Sequence, residues 1–312
     1  MKSPWLERHP QGGLLVLDKP VGPTSHDVVA HVRRVMKTRE VGHTGTLDPF
    51  ASGVLVVLLG QLTRAADLVG DGVKRYLATA RLGVETNTDD ATGTQVVQRD
   101  VAVTRAQVEA ALPSLTGELA QVPPAFSAKH VDGQRAYALA RAGDAPVLKP
   151  VNVTVFALTV VDMHDVDVLL DVTCSKGTYV RALARDLGRA LGVGAHLTAL
   201  RRTVVGPFVE RDAVPVDQVT AEHARPASWM LDQVPCGRVD DAGLARVLQG
   251  RTDVELHLGA RAWPAGAWGM VAHQQRLLAL AHAQQELPAA STQPGSVLAW
   301  GRRFPTAPDA AP

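Results

Sequence analysis

Two stretches of the chain are apolar at every position, Leu14-Leu15-Val16-Leu17 and Val54-Leu55-Val56-Val57-Leu58-Leu59. Short continuous apolar runs bounded by turn residues predict strands with little contact with water. The first run ends at Lys19-Pro20 and the Gly22-Pro23 turn. A helical rhythm follows, in which Val28, Val29, Val32, Val35 and Met36 share one face and Arg33, Arg34 and Lys37 another. That helix is expected to be capped by Ser25 or Asp27. A short helix is expected over 63–69, an alternating strand over 76–82, and a helix from Thr104 through Leu115. β-Branched runs at 151–161 and 166–173 flank an acidic turn and predict a hairpin. From Thr178 to Leu191 the helical period returns. Val180, Leu183, Ala184, Leu187 and Leu191 face inward, and Arg181, Arg185 and Arg189 form a second stripe. Helices and strands mix without a strict βαβ rhythm, which predicts an α+β fold.

After Pro235 the texture changes. A short capped helix over 240–250 precedes brief apolar segments at 252–258, 267–272 and 276–282, the pattern of a small β-rich appendage. The expected division is an extension over 1–11, a main domain over 12–235, a second domain over 236–305 and a disordered tail over 306–312.

Composition narrows the class. At 312 residues the chain can bury a sizeable core, and two cysteines exclude a disulfide framework or a multi-cysteine zinc site. No apolar run approaches a membrane span and no signal core precedes residue 12, so a cytoplasmic protein without a membrane partner is expected. A net charge of +1 hides an uneven distribution. Residues 1–75 hold ten Lys/Arg against seven Asp/Glu, and residues 174–212 hold seven against three. Basic patches on a near-neutral chain suit moderate phosphate binding.

The candidate chemistry lies just before the second apolar run. In His43-Thr44-Gly45-Thr46-Leu47-Asp48-Pro49-Phe50-Ala51-Ser52-Gly53 a single carboxylate stands in a glycine-rich turn at the mouth of a buried strand. An isolated Asp-Pro is most simply a turn. Five other segments change that reading. They are Gly13-Leu14-Leu15-Val16-Leu17-Asp18-Lys19-Pro20, Lys74-Arg75-Tyr76, Pro123-Pro124-Ala125-Phe126-Ser127-Ala128-Lys129, Cys174-Ser175-Lys176-Gly177-Thr178-Tyr179-Val180-Arg181 and Gly194-Ala195-His196-Leu197-Thr198-Ala199-Leu200-Arg201-Arg202-Thr203. With the Asp48 loop, and in this order, they resemble the bacterial tRNA pseudouridine synthase B family over about residues 12–210.

The resemblance implies a mixed, largely antiparallel sheet flanked by helices (the pseudouridine synthase fold) with a PUA-like RNA-binding domain at the C-terminus. It implies isomerisation of the T-loop uridine, position 55, of tRNA by base flipping. Asp48 is the implied catalytic carboxylate, Arg181 its charged partner, and Tyr76 the aromatic that stacks on uracil and moves a proton late in the reaction. His43, Tyr179 and the Leu200 main chain are implied to meet the flipped nucleotide. Lys19, Arg64, Lys74, Lys129 and Lys176 are implied phosphate contacts. An isomerisation needs no redox cofactor, external water or metal, and none is expected; G-x-G-x-x-G, G-x-x-x-x-G-K and H-E-x-x-H are absent from the chain. A monomer requiring no protein partner is expected. Two alternatives remain: a guide-RNA-dependent synthase subunit, which resembles the chain less over 82–160, and a non-catalytic tRNA-folding chaperone, which would not need Asp48. A phosphoryl-aspartate enzyme is excluded, because position 42 is Gly where that chemistry wants Asp.

Overall fold

The two apolar strands are buried on both faces. In the computed structural model, which describes residues 3–126, 130–131, 134–135 and 148–304, Leu15 and Leu17 of the strand Gly13–Lys19 enter one core while Leu14 and Val16 enter another. In the neighbouring strand Ala51–Leu59, Leu55, Val57 and Leu59 face the first core, and Val54, Val56 and Leu58 the second. Side chains alternate across a strand, so burial on both sides requires an uninterrupted apolar run. The helix Ser25–Met36 closes the first core with Val28, Val29, Val32 and Met36. Each such side chain, fully buried, stabilises the fold by about 1.5–3 kcal/mol.

The cap of that helix is Thr24, not Ser25 or Asp27. The Thr24 hydroxyl accepts from the Asp27 amide at 3.1 Å, and the Asp27 carboxylate accepts from the Thr24 amide at 2.8 Å. Asp27 therefore serves as the third residue of a capping box, and Ser25 is released for another role. The Thr104 expectation holds: Thr104 and Gln107 form the same box, and the helix Arg105–Ala111 tightens into a 3₁₀ turn over Leu112–Leu115. The expected 63–69 helix is a 3₁₀ turn Gly60–Ala65 running into Ala66–Val69.

Among the described residues an eleven-stranded sheet is built around the order Val214–Pro215, Gly13–Lys19, Ala51–Leu59, Ala195–Val205, Lys74–Leu82, Asp167–Cys174, Val151–His164, Gly117–Gln121. Only the pairings of Gly13–Lys19 with Val214–Pro215 and of Ala51–Leu59 with Ala195–Val205 are parallel. The sheet is thus mixed and largely antiparallel. The hairpin Val151–His164 and Asp167–Cys174 turns through Asp165 at a φ of +51°. The helix Val180–Ala190 packs against this sheet, with Arg181 and Arg185 buried and only Arg189 of the expected stripe exposed.

A second, six-stranded sheet runs Thr292–Pro294, Glu255–Leu258, Cys236–Arg238, Trp268–His273, Arg276–Ala283, Leu298–Arg303, beside a helix Asp241–Leu248 capped by Asp240. It is the small β-rich unit expected after Pro235, and PUA-like in character. Its attachment is intimate. Leu14, Val16 and Phe208 share one core with Met270, Leu277, Leu280 and Phe304, and the Gln11 side chain bonds both the amide and carbonyl of Leu277. Lys129 and the expected tail over 306–312 lie outside the described residues.

Candidate active site

Asp48 lies in the loop joining the strands Val41–His43 and Ala51–Leu59, and several contacts hold that loop in shape. The Ser25 hydroxyl accepts from the Leu47 amide at 2.9 Å and donates to the Leu47 carbonyl at 3.1 Å. The Asp48 carbonyl accepts from Ala51 N at 3.0 Å, and the Pro49 carbonyl from Gly22 N at 2.8 Å. Gly53, at a φ of +101°, closes the turn, and a Cβ there would stand 2.2 Å from the Arg202 carbonyl oxygen. Both conformation and space demand glycine at that position.

Two buried cations lie beneath the loop. Lys19 is fully buried, and its ammonium donates to the carbonyls of Ala51 at 2.8 Å and Pro20 at 2.9 Å. Burial pushes that ammonium down to about 8, with Asp48 opposing the shift. Arg202 donates through Nε to Val54 at 2.7 Å and through Nη2 to Gly45 at 3.1 Å. A buried cation without such acceptors would cost several kcal/mol. Lys19 thus braces the loop from within, its ammonium held by two main-chain carbonyls. Lys74 is also largely buried, and its ammonium is pushed down to about 8 by burial and then by Arg202.

Arg181 is the hub. Its Nε lies 3.1 Å from Asp48 Oδ2, and its Nη1 donates to Asp90 Oδ2 at 3.1 Å and the Thr88 carbonyl at 3.0 Å. Its Nη2 donates to the Phe126 carbonyl at 2.9 Å. The guanidinium side chain is only 7% exposed, whereas Asp48 is 36% exposed, so the carboxylate stands between a buried cation and open space. Asp90 is held in turn by the Thr88 hydroxyl at 2.8 Å and the Thr92 amide at 2.9 Å. One helical turn on, Arg185 pairs with Asp89 at 3.0 Å and donates to the Val122 carbonyl at 2.9 Å. Asp89 sits at a φ of +59° and ties this segment to the sheet by accepting from Leu197 N at 3.0 Å. Burial raises the Asp48 carboxyl above its ordinary value, Arg181 pulls it back, and Asp90 raises it again.

The remaining candidates divide into two groups. Tyr76 is buried on the strand Lys74–Leu82, between Val172 and Arg202 of the adjacent strands. Burial raises its phenol above the usual value, and the neighbouring Arg202 works against that rise. Leu200 pairs with both Ala51 and Ala78, next to the loop. Half-buried Tyr179 caps the Arg181 helix, where the Gln121 side chain bonds its amide at 2.8 Å and its carbonyl at 3.1 Å. His43 lies edge-on to His26 with ring centroids 6.0 Å apart. Its Nδ1 is buried without a hydrogen-bond partner, and burial lowers the imidazole pKa. By contrast, Lys176 is exposed beside Asp67 and Asp71, at 3.5 and 3.7 Å, and Arg64 is exposed on the 3₁₀ turn. Among the described residues no group of three or more His, Cys, Asp or Glu is placed to hold a metal ion.

Sequence reasoning missed Asp90, Asp89, Arg202 and the Ser25 clamp. The run Thr86-Asn87-Thr88-Asp89-Asp90 looks like an ordinary polar turn. Its one signal was a pair of carboxylates in a chain whose later helix, carrying Arg181 and Arg185, needed counter-charges.

Comparison with known proteins decides the family. The profile of the TruB family pseudouridylate synthase N-terminal domain matches residues 33–180, and that of the tRNA pseudouridylate synthase B C-terminal domain matches residues 181–234. A tRNA pseudouridine synthase B of Thermobifida fusca is 46% identical over 92% of this chain and 98% of its own length. The chain belongs to the tRNA pseudouridine synthase B family. A further relative of the same name from Cutibacterium acnes is 56% identical over 64% of this chain and 69% of its own. Among solved structures, a Cbf5-Nop10-Gar1 complex contains a chain that aligns with a TM-score of 0.71 at 26% identity, covering 96% of this chain and 86% of that one. Family membership makes the chain a tRNA pseudouridine synthase with a mixed α+β catalytic sheet and an RNA-binding role.

Proposed function

We propose that this chain isomerises uridine 55 in the T-loop of tRNA to pseudouridine, acting alone, as a monomer, in the cytoplasm. The observation that carries this reading is the Asp48–Arg181 ion pair, with a buried guanidinium behind a carboxylate that still faces solvent. The reaction breaks the bond from ribose to uracil nitrogen and forms one to uracil carbon, from which a proton departs while the freed ring nitrogen gains one. With its charge favoured by Arg181 against the effect of burial, the carboxylate can serve as nucleophile toward an oxocarbenium-like ribose, or as the base that starts its formation. Arg181 suits the role because it stays charged and is fixed by three further acceptors.

The substrate uridine must leave its stack, at a cost of a few kcal/mol. Stacking on Tyr76 would offset about 1–3 kcal/mol of that, and His43, Tyr179 and the Leu200 main chain would contact the extruded nucleotide. Lys74, Lys129, Lys176 and Arg64 are the proposed phosphate contacts. The relatives named tRNA pseudouridine synthase B are 43–56% identical to the chain, against 26% for the Cbf5 chain, which favours a stand-alone enzyme over a guide-dependent subunit. Incubating an unmodified tRNA transcript with the purified protein and no added cofactor, then mapping pseudouridine, tests the reading. Pseudouridine at position 55 is expected. Its absence there, or its appearance only with an added guide RNA or protein, would overturn the proposal.

A further inference from the structure

A second concavity lies away from Asp48. A cleft of about 2030 Å³ opens where the helix Pro4–Arg8, the end of the helix Ser25–Met36, the Gly60–Ala65 turn and the His273–Arg276 tip of the second sheet meet. Arg8, Arg34, Lys37, Arg39 and Arg64 all line it. Each of these five is exposed, and among the described residues none of them forms an ion pair. Elsewhere Arg75, Arg81, Arg99 and Arg105, all exposed, are matched by Asp171, Asp167, Glu85 and Glu109.

A helix C-terminus favours basic residues in its last turn, which accounts for Arg34. The same preference covers Arg8 and Arg64, each in the last turn of a short helix, but not Arg39, nor the arrival of all five in one cleft from different segments. Unmatched cations converging on one concave surface repel one another unless a polyanion joins them. The described lining contains no Phe, Tyr or Trp. Unstacked bases want an aromatic platform, whereas a sugar-phosphate backbone wants only distributed positive charge. Position matters too. The Asp48 loop enters the strand Ala51–Leu59 at its start, and the cleft begins at Gly60 just past its end, so the strand sets about 25 Å between them.

We propose that this cleft binds the sugar-phosphate backbone of tRNA beyond the isolated T arm, as a second footing shared by the catalytic sheet and the C-terminal unit. The inference rests on the tRNA reading above but is tested through binding, so that the two can fail separately. The test is the full chain carrying Arg34→Gln, Lys37→Gln and Arg39→Gln, compared with wild type by fluorescence anisotropy on full-length tRNA and on a T-arm stem-loop, over a range of salt. A control triple, Arg105→Gln, Arg246→Gln and Arg251→Gln, removes as much charge elsewhere.

For full-length tRNA the cleft variant should bind roughly tenfold more weakly at physiological salt, and its log–log salt slope should fall by about 2–3. The stem-loop affinity, and the turnover at saturating tRNA, should stay within twofold of wild type. Unchanged binding of full-length tRNA would overturn the proposal, as would equal losses on both RNAs or an equal loss in the control triple. A wild-type protein that binds full-length tRNA through this cleft yet makes no pseudouridine would sink the catalytic reading and leave the cleft standing.

Discussion

The two ends of the strand Ala51–Leu59 use cations in opposite ways. At its start, Lys19, Arg181, Arg185 and Arg202 are buried, and their donors go to named carbonyls and carboxylates. Past its end, Arg8, Arg34, Lys37, Arg39 and Arg64 are exposed and unmatched. Fixed cations cannot gain much by meeting a new anion, since they have already lost their water and found partners. Their value is geometric, in holding the Asp48 loop and its carboxylate in place before substrate arrives. Unmatched cations position nothing in the free protein. They contribute when a polyanion arrives and releases its counterions. One strand thus separates a preorganised end from an adaptable one.

The largest effect that would break this contrast is expected at Asp48 itself. Asp48→Asn keeps the shape and removes the charge, so pseudouridine formation should fall by at least about 10³-fold while tRNA affinity stays within a few-fold. Comparable turnover by the purified variant would show that the preorganised carboxylate is not what the site is built around. Arg181→Lys comes next, at roughly 10²–10³-fold in turnover. One ammonium cannot serve Asp48, Asp90, Thr88 and Phe126 together, although the charge survives. Near-normal single-turnover rates would mean that charge alone suffices and the fork geometry is irrelevant.

Tyr76→Phe should lower turnover about a hundredfold with little change in binding. The ring is kept for stacking, but proton transfer through the hydroxyl is lost. Tyr76→Leu should damage both. If the Phe variant works at the wild-type rate while the Leu variant binds poorly, the residue is a stacking platform and the proton leaves by another path.

Much of this arrangement was legible in the sequence. The apolar runs, the helix that carries Arg181, the Thr104 cap and the β-rich C-terminal unit follow from local periodicity, which survives into the structure wherever one element has one kind of neighbour. The failures fall where a residue answers to something distant in sequence. Thr24 displaced Ser25 as the cap because Ser25 is needed by Leu47. The burial of Lys19, which was expected among the phosphate contacts, comes from Ala51 and the loop, and these lie beside it only in the fold. Asp90 serves Arg181 across a separation no motif spans. The change in texture at Pro235 marked the start of a second sheet, but not the core shared across it by Phe208, Met270 and Leu277. Cutting the chain there would therefore expose apolar surface on both pieces.

The smallest expected effect is also the one whose sign says most about the preorganised end. Burial raises the Asp48 carboxyl above its ordinary 3.8, and that effect outweighs the attraction of Arg181. A carboxyl with a raised folded-state pKa is easier to protonate in the folded chain than in the unfolded one. Its ionisation therefore costs stability, and the cost appears as pH rises from 3.8 through the raised value. Below that window Asp48 is neutral in both states and the cost vanishes. Asp48→Asn cannot titrate, so its melting temperature relative to wild type should climb between pH 4 and pH 7, even as its activity disappears. Thermal melts of both proteins across that range measure the difference directly. If wild type instead gains on the variant as pH rises, Arg181 more than compensates the buried charge. The carboxylate would then be a stabilising partner of the arginine, rather than a group held in readiness at the fold's expense.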